Sequence, residues 1–366
     1  MMLKKMKILY LTPSHVDYLA DQIYLGLCKI VGWENVVDFP YKRLYHDPTC
    51  NVPSIPQTPG YQYSFKEIVD MLQSRVFDWL VLAAIRTEPL VMLDRLAKTA
   101  SLPPRILLDG DDGPEIREDL FERYRFVLYF KREFVPGEKA GLWRRLKGQA
   151  VPVGMRGRVF PLPFSAVLEA IPNSVRQEVS RDIDVSFVGI ASHRKRIRAV
   201  DLLRRVPDMR FVGTIYADCT MRESKLAMGP LAIWKAKLQG DPYVSKEMYQ
   251  RKLSWEAYWE VLARSKMGLS IRGAGYDTVR YWEIVAAKAL LIAEQPDIDI
   301  PYNFEHGKQA IFIRPDLSDL VPVLKTYLQD HDAREAIAQA GYAHLLKYHT
   351  CEQRARQFLE ICSARL

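Results

Sequence analysis

Residues 272–292 have the sequence RGAGYDTVRYWEIVAAKALLI, which contains most of a βαβ unit. The apolar run KMGLSI leads into the Gly-Ala-Gly turn, TVRYWEIVAAK has helical spacing, and ALLIAE is a second apolar run. Strands joined through one helix are expected to be parallel neighbours in a sheet. Asp277 or Thr278 stands where a side chain can cap the helix.

The same alternation of strand-like runs and helical periods extends along the chain. In the first part the runs are KILYLTP, FDWLVLAAI, RILLDGDDG and RFVLYFKRE. In the second part they are DVSFVG, RFVGTI, KMGLSI, ALLIAE and AIFIRP. Continuous apolar runs indicate strands covered on both faces, as in parallel α/β sheets, where ligands bind at the carboxyl ends of the strands. An α/β fold is therefore predicted, with its functional groups in the loops that follow the strands.

The length of 366 residues is sufficient for two domains with separate cores. Residues 151–184 carry several prolines without a regular period, which is typical of a connection between domains. We predict an N-terminal domain over residues 1–170, a second domain over residues 171–349, and a cleft between them. The apolar spacing beyond residue 319 predicts helices, with Asp or Thr as caps.

The composition is that of a globular protein, since 48% of the residues are apolar and 26% are charged. The odd number of cysteines, without a CxxC pair, argues against a disulfide framework and favours a reducing cytoplasm. Pro13 and His15 interrupt the N-terminal apolar run, which predicts a first strand rather than a secretory signal. No apolar run has the ~18 residues of a membrane span.

Basic residues are concentrated between Phe121 and Phe160, where ten Lys or Arg face three Glu. This excess predicts phosphate-bearing partners, although a solvated basic face would have the same composition. Leu142, Trp143 and Leu146 lie among these charges and could form a short helix on an anionic membrane surface. The chain lacks the aromatic and basic motifs of known modules, which argues against nucleic-acid binding.

The turn and helix of the opening stretch predict an anion site. A helix that begins at a Gly-rich turn offers free backbone N–H groups and the positive end of its dipole to a phosphate or diphosphate. Arg280 and Glu283 share one face of this helix. Arg280 is placed for the anion, and Glu283 for the hydroxyls of an adjoining ribose. A simple i, i+3 ion pair on the helix surface is the alternative.

Two familiar phosphate-binding sequences are absent. A GxGxxG dinucleotide fingerprint would need glycine at Thr278, and no Walker A sequence occurs. A second basic segment, VSFVGIASHRKRIRAVDLLRRV, has a strand ending near Gly189. Its cations follow at the predicted carboxyl end of that strand and could capture phosphate or form an exposed basic helix. They are Arg194, Lys195, Arg196 and Arg198.

The first domain offers candidate bases and candidate metal ligands. His15 and Asp17 follow the first strand, and either could act as a general base, although a loop histidine is more often structural. Asp109, Asp111 and Asp112 could bind a divalent cation through oxygen ligands. We favour a role for them as turn formers and caps, and the histidines and cysteines show no zinc spacing.

An ordered set of segments resembles bacterial GT-B glycosyltransferases, in particular the spore-coat-maturation-type group with a glycosyltransferase-family-1-like C-terminal domain. The segments are YFKREF, FPLPFS, VSFVG followed by RKR, SKMGLSIRGAGYDTVRYWEI, IPYNFEHGK and HTCEQRA. The match is close in the second half of the chain and loose in the first. It implies two Rossmann-like domains with parallel sheets facing a central cleft, a UDP or GDP sugar in the C-terminal domain, and an acceptor in the N-terminal domain.

The resemblance also implies roles for individual residues. Glu283 would hold the donor ribose, the turn from Gly273 to Thr278 would cover the diphosphate and sugar, and Arg194 with Lys195 would bind the diphosphate. The final helix, residues 350–366, would cross back to the first domain. The predicted donor-binding residues are Arg194, Lys195, Arg272, Gly273, Gly275, Tyr276, Asp277, Thr278, Arg280 and Glu283.

One position departs from the family pattern. Retaining members carry a glutamate eight positions before the ribose glutamate, where this chain has Gly275. This departure argues for an inverting mechanism with His15 or Asp17 as the base. The overall prediction is a cytoplasmic glycosyltransferase of bacterial glycan biosynthesis that needs no metal or cofactor. The alternative is a non-catalytic nucleotide-sugar-binding protein with the same fold.

Overall fold

The computed structural model describes residues 6–50, 52–136, 149–176, 179–217, 234, 238 and 248–366. The chain forms two compact units. Unit 1 consists of Met1–Ala170, Asp297–Tyr302 and Lys347–Leu366. Unit 2 consists of Ile171–Pro296 and Asn303–Leu346.

Unit 1 contains a six-stranded sheet in the order β2-β1-β3-β4-β5-β6, in which every pairing is parallel. Its strands are β1 (Ile8–Leu11), β2 (Val36–Phe39), β3 (Trp79–Leu82), β4 (Arg105–Asp109), β5 (Leu128–Lys131) and β6 (Val159–Pro161). Helices accompany this sheet as α1 (Tyr18–Val31), α2 (Arg43–His46), α3 (Phe65–Gln73), α4 (Thr87–Thr99) and α5 (Glu118–Arg123).

Four strands of unit 1 confirm the apolar runs predicted from the sequence, but β2 and β6 were missed. The β6 strand, Val159–Pro161, lies within residues 151–184, which were predicted to be a connection alone. Its place at the edge of the sheet explains the difference, because an edge strand tolerates proline and can be short. The β2 strand, VVDF, is interrupted by the buried Asp38 and followed by Pro40, so it lacks a continuous apolar run.

Unit 2 contains a five-stranded parallel sheet in the order β11-β10-β9-β7-β8. Its strands are β7 (Ile183–Ile190), β8 (Phe211–Tyr216), β9 (Ser265–Ser270), β10 (Leu290–Glu294) and β11 (Ile311–Ile313). The helices are α6 (Arg194–Arg204), α7 (Trp255–Ala263), α8 (Val279–Ala286), α9 (Leu320–Gln329) and α10 (His331–Tyr348). The βαβ unit predicted from the opening stretch is confirmed as β9, α8 and β10.

The final helix, α11 (Cys351–Arg365), belongs to unit 1. The side chain of Thr350 caps it by accepting a 3.2 Å hydrogen bond from the N–H of Gln353. Helices α11 and α1 approach closely at Gly26, where a Cβ atom would lie 2.2 Å from the carbonyl oxygen of Cys351 and 2.6 Å from the Cβ of Ala355. Among the described residues, no helix is long and apolar enough to cross a membrane.

Replacement of Gly26 by alanine tests this packing. Alanine is intrinsically better in a helix by up to ~1 kcal/mol. Its methyl group would nevertheless overlap α11, so we expect a net loss of about 1–3 kcal/mol in the free energy of unfolding. Urea denaturation measures the change. Gly154→Ala is the matched control, because nothing lies within 4 Å of the added atom; equal stabilities for the two variants would contradict the packing.

Candidate functional site

The predicted donor residues come together at the carboxyl edge of the unit 2 sheet. Strands β7 and β9 are neighbours in this sheet, and the loops that follow them lead into α6 and α8. Two helices therefore begin side by side at one edge. Their first turns supply backbone N–H groups and the positive ends of two helix dipoles.

Arg196 ties these two loops together. Its buried guanidinium donates from Nε to the carbonyl oxygens of Ile271 and Arg272, both at 3.1 Å. Its Nη1 donates to the carbonyl oxygen of Ile190 and to Ser192 Oγ, both at 2.9 Å. The sequence grouped Arg196 with the candidate phosphate cations, whereas these contacts make it an anchor of the loops.

Gly273 is required by the close approach of the two loops. A Cβ atom at this position would lie 2.9 Å from both Arg196 Nη2 and Ser192 Oγ. Its N–H donates to the carbonyl oxygen of Gly275 at 2.9 Å, which closes the turn. A residue with a Cβ atom would not fit in this space, so glycine is required at this position.

Arg272 and Tyr276 are half-buried and lie on either side of this turn. The Arg272 guanidinium lies over the Tyr276 ring, 4.1 Å from its centroid, and Nη2 donates to the carbonyl oxygen of Ala274 at 3.0 Å. Arg272 Nε is buried and has no hydrogen-bond partner among the described residues. The turn thus carries a cation held in place by stacking.

The expected side-chain cap of α8 was wrong. Thr278 occupies the N-cap position but makes no capping hydrogen bond, and its Oγ1 lies 3.2 Å from Ser270 Oγ. Asp277 is buried and accepts a 2.9 Å hydrogen bond from the indole Nε1 of Trp282. The N-terminus of α8 therefore lacks a side-chain cap, which leaves its first N–H groups to other acceptors.

The side chain of Arg280 extends from α8 to strand β7. Its Nε donates to the carbonyl oxygen of Val188, and the guanidinium lies over the Phe187 ring at 4.6 Å. Gly189 makes room for it, because a Cβ atom there would lie 1.8 Å from Arg280 Nη2. Arg280 Nη1 is buried and has no hydrogen-bond partner among the described residues. A buried N–H of this kind is costly unless a ligand accepts from it.

Glu283 lies one turn further along α8 and accepts a hydrogen bond at Oε2 from the hydroxyl of Tyr258. Burial raises the pKa of Glu283 to about 7, against the opposing effects of the Tyr258 hydrogen bond and the Arg280 charge. Arg280 and Glu283 are each held by a different partner, so the alternative of an ion pair between them is not observed. A carboxylate is thus held beside a cation at the sheet edge.

The start of α6 adds further charge. Lys195 pairs with Glu294, at the end of β10, and Arg194 is exposed. His193 caps α6, since its Nδ1 accepts from the N–H of Lys195 at 3.1 Å. The pKa of His193 is lowered by burial and then by the charges of Arg272 and Lys195. Burial is the larger cause, and the smaller effects of Arg272 and Lys195 reflect the positive charge at this sheet edge, which favours an anionic ligand.

Four residues of this edge were missed by the sequence analysis. Glu294 could have been found as a charge at the end of the apolar run ALLIAE, and His193 as a residue preceding a helix. Tyr258 and Tyr216 carry no local signal. The pKa of Tyr216 is raised by burial, lowered by Arg280 and raised by Glu283, so Tyr216 lies near both charges.

In unit 1, the structure separates the roles of the two candidate bases. His15 is exposed in the loop after β1. Asp17 is buried, caps α1 by accepting a 3.3 Å hydrogen bond from the N–H of Ala20, and pairs with Arg86 at 3.4 Å. These contacts commit Asp17 to the helix start.

The aspartates of unit 1 are engaged with cationic side chains. Asp109 accepts from Lys131 Nζ at 2.8 Å and Asp111 from Arg86 Nη1 at 2.6 Å. Asp112 pairs with Arg132. No group of three potential metal-binding side chains occurs in the part of the chain that the structure describes. Residues 137–148, with the membrane-surface candidates Leu142, Trp143 and Leu146, lie outside the described residues, and that prediction stays open.

Comparison with known families gives a partial match. A family model described as "Glycosyl transferase-like" matches residues 196–360. This range contains most of unit 2 and the first ten residues of α11. No curated protein matches the chain.

Three solved structures are similar over nearly the whole chain. A glycosyltransferase from Rickettsia africae ESF-5 is 12% identical, with a TM-score of 0.61, over 98% of this chain and 97% of that chain. Alr3699/HepE of Anabaena, in complex with UDP and glucose, is 13% identical with a TM-score of 0.64, over 98% and 100%. Sucrose-phosphate synthase from Thermosynechococcus elongatus is 10% identical with a TM-score of 0.58, over 98% and 98%. The fold is therefore GT-B, which confirms the predicted fold class.

The anchoring role of Arg196 is tested by Arg196→Lys. A lysine ammonium cannot span the four acceptors, so we expect the free energy of unfolding to fall by about 2–3 kcal/mol. The amides of residues 272–275 should also exchange faster with deuterium. Arg198→Lys, on the exposed face of the same helix, should change stability by less than ~0.5 kcal/mol. Unchanged exchange in Arg196→Lys would rule out the anchor.

Proposed function

We propose that this protein is a metal-independent glycosyltransferase that moves a sugar from a nucleoside-diphosphate sugar to an acceptor. The observation that carries the proposal is the arrangement on α8, where Arg280 has a buried N–H without a partner among the described residues and Glu283 presents a carboxylate one turn away. In a nucleoside-diphosphate sugar the diphosphate adjoins the ribose. Its phosphate oxygens could accept from Arg280, and the ribose hydroxyls could donate to Glu283. The partial match to a glycosyl transferase-like family supports the same conclusion.

The diphosphate is assigned to the Arg280 end of the site. A phosphate oxygen would accept from Arg280 Nη1 and from the uncapped N-terminus of α8. Arg194, Lys195 and Arg272 would add positive charge around it. Lys195 is paired with Glu294, so the diphosphate would compete with that carboxylate for the lysine. Stabilisation of the leaving diphosphate by these cations would be the main catalytic contribution.

The ribose is assigned to Glu283, whose second oxygen can accept from its hydroxyls. The turn over the diphosphate and sugar would be formed by Gly273, Gly275, Tyr276, Asp277 and Thr278. The first donor to test is UDP-glucose, because Alr3699/HepE was crystallised with it. A GDP sugar is the second.

On the acceptor side, we assign the role of base to His15 in preference to Asp17. His15 is exposed after β1, whereas Asp17 is held by α1 and Arg86. An inverting reaction with His15 as base agrees with Gly275, which supplies no carboxylate for the retaining pattern. We further propose that the protein is a member of the spore-coat-maturation-type group. Its proposed location is the cytoplasm, in contact with an anionic membrane surface.

A non-catalytic nucleotide-sugar-binding protein is the second candidate, and Gly275 is the observation that favours it. Donor hydrolysis and transfer, assayed with a panel of UDP, GDP and ADP sugars and simple acceptors, separate the two candidates. Binding without turnover of any donor would favour the second.

Glu283→Ala tests the ribose assignment. The lost hydrogen bonds to a charged acceptor are worth about 1.5–3 kcal/mol, so nucleotide affinity should fall more than tenfold. Isothermal titration calorimetry with UDP-glucose measures it, with thermal unfolding to verify the fold. Glu256→Ala, an exposed acid on α7, is the control and should bind normally. Full affinity in Glu283→Ala would remove Glu283 from the site.

Arg280→Met tests the diphosphate assignment. Affinity for UDP should fall about tenfold or more, because a charge-assisted hydrogen bond is lost. Affinity for uridine, measured by ligand-observed NMR, should be unchanged, since uridine has no phosphate. Arg198→Met serves as the control for loss of a cation from this edge. An equal loss for UDP and uridine would show that Arg280 supports the fold and does not contact phosphate.

A further inference from the structure

Tyr258 and Glu283 come from different helices and meet at the candidate nucleotide site. Tyr258 lies on α7, which precedes β9, and Glu283 lies on α8, which follows it. The Tyr258 hydroxyl donates to Glu283 Oε2. No residue in the described part of the chain donates to Oε1 of the same carboxylate, which leaves this oxygen for another donor.

The Tyr258 ring is held rigidly by its own helix. Its ring packs against the rings of Trp255 and Trp259, with 6.1 Å between centroids in each pair, and the two tryptophan rings contact each other at 5.9 Å. Trp259 is buried, and Ser254 caps α7 by accepting a 3.2 Å hydrogen bond from the N–H of Ala257. These contacts restrict the position of the Tyr258 hydroxyl.

Helix α8 is fixed by contacts that do not involve Glu283. The hydroxyl of Tyr281 donates to Asn303 Oδ1 at 2.8 Å, and Trp282 Nε1 donates to Asp277 Oδ1 at 2.9 Å. These bonds hold the helix backbone, but they leave the Glu283 carboxylate free to rotate about its side-chain torsions. The Tyr258 hydroxyl is the contact that restricts this rotation.

We infer that Tyr258 is a positioning residue, which holds Oε2 of Glu283 so that Oε1 faces the hydroxyls of the nucleotide. This inference rests on the proposed function, because it takes Glu283 as the ribose contact. An ionised carboxylate accepts at both oxygens, so one can be held by the protein while the other binds the ligand. Preorganisation of this kind lowers the ordering cost of binding.

The arrangement links nucleotide affinity to pH. Among the residues that the structure describes, the titratable or charged groups that face Glu283 are Arg280 on its own helix, Tyr258 on α7 and Tyr216 at the end of β8. Burial raises the pKa of Glu283 to about 7, while the Tyr258 hydrogen bond and Arg280 lower it. The carboxylate is present above this pH and is lost as the pH falls through it. Removal of the Tyr258 hydroxyl would raise the pKa further, so affinity would be lost at a higher pH.

Tyr258→Phe tests the inference through the pH profile of binding. UDP-glucose is the probe, because its diphosphate is esterified at both ends and does not titrate near neutrality. Calorimetric titrations across roughly pH 5.5 to 9 should show the midpoint of affinity moved upward by about one unit, a tenfold loss near neutral pH. Affinity should recover at the alkaline end of the range.

Two control variants make the result specific. Tyr281→Phe also removes a buried hydroxyl that fixes α8, yet it does not touch Glu283, and its midpoint should match the wild type. Glu283→Gln should bind weakly with no midpoint in this range. An unmoved midpoint in Tyr258→Phe, or a uniform loss of affinity at every pH, would overturn the positioning role. A pH midpoint retained in Glu283→Gln would also overturn it.

Failure of the proposed function gives a different result. If the wild-type protein binds neither UDP-glucose nor the GDP and ADP sugars at any pH, the assignment of the nucleotide site is wrong. The inferred role of Tyr258 is then also wrong. If the wild-type protein binds UDP-glucose and Glu283→Gln weakens this binding, the assignment of the nucleotide site is supported. The pH profile of binding in Tyr258→Phe then decides whether Tyr258 is a positioning residue.

Discussion

The buried guanidinium of Arg196 is the contact on which the unit 2 site depends. Burial of a cation is costly unless its N–H groups are hydrogen-bonded, and here Nε and Nη1 donate to four acceptors at the end of β7 and in the loops that follow β7 and β9. The loop after β7 and the loop after β9 therefore cannot move independently. The four acceptors are neutral, and the Arg196 charge contributes to the field that lowers the pKa of His193. One side chain thus fixes the geometry of the edge and helps to make it positive.

Arg196 and Arg280 show how residues of the same type can have different roles. Arg196 points inward, where loop carbonyl oxygens accept from it. Arg280 is also anchored, through Nε to the Val188 carbonyl oxygen, but its Nη1 is buried without a partner among the described residues. The first arrangement is that of a structural residue. The second leaves one hydrogen bond to be made by a ligand, and for this reason we place the diphosphate at Arg280.

The GT-B fold by itself does not establish the chemistry, because one fold supports many activities. The argument for sugar-nucleotide chemistry therefore rests on α8. Gly189 opens the space that Arg280 occupies, and Tyr258 holds the carboxylate of Glu283. In unit 1, the contacts of Asp17 with α1 and Arg86 leave the exposed His15 as the better candidate base.

Most of the strands could be predicted from the sequence alone, because the apolar periods of strands and helices are local properties. The sequence predicted the βαβ unit around Arg280 and Glu283, and the spacing of these residues placed both on one helix face. It missed β2, whose apolar run is interrupted by Asp38, and β6, a three-residue strand that ends in proline. It also misjudged Arg196 and the cap at Thr278. Only the tertiary structure decided the partners, because Val188, Tyr258 and Glu294 are distant in sequence from the residues they contact. Contacts of that kind arise from the packing of strands and helices, and no local pattern records them.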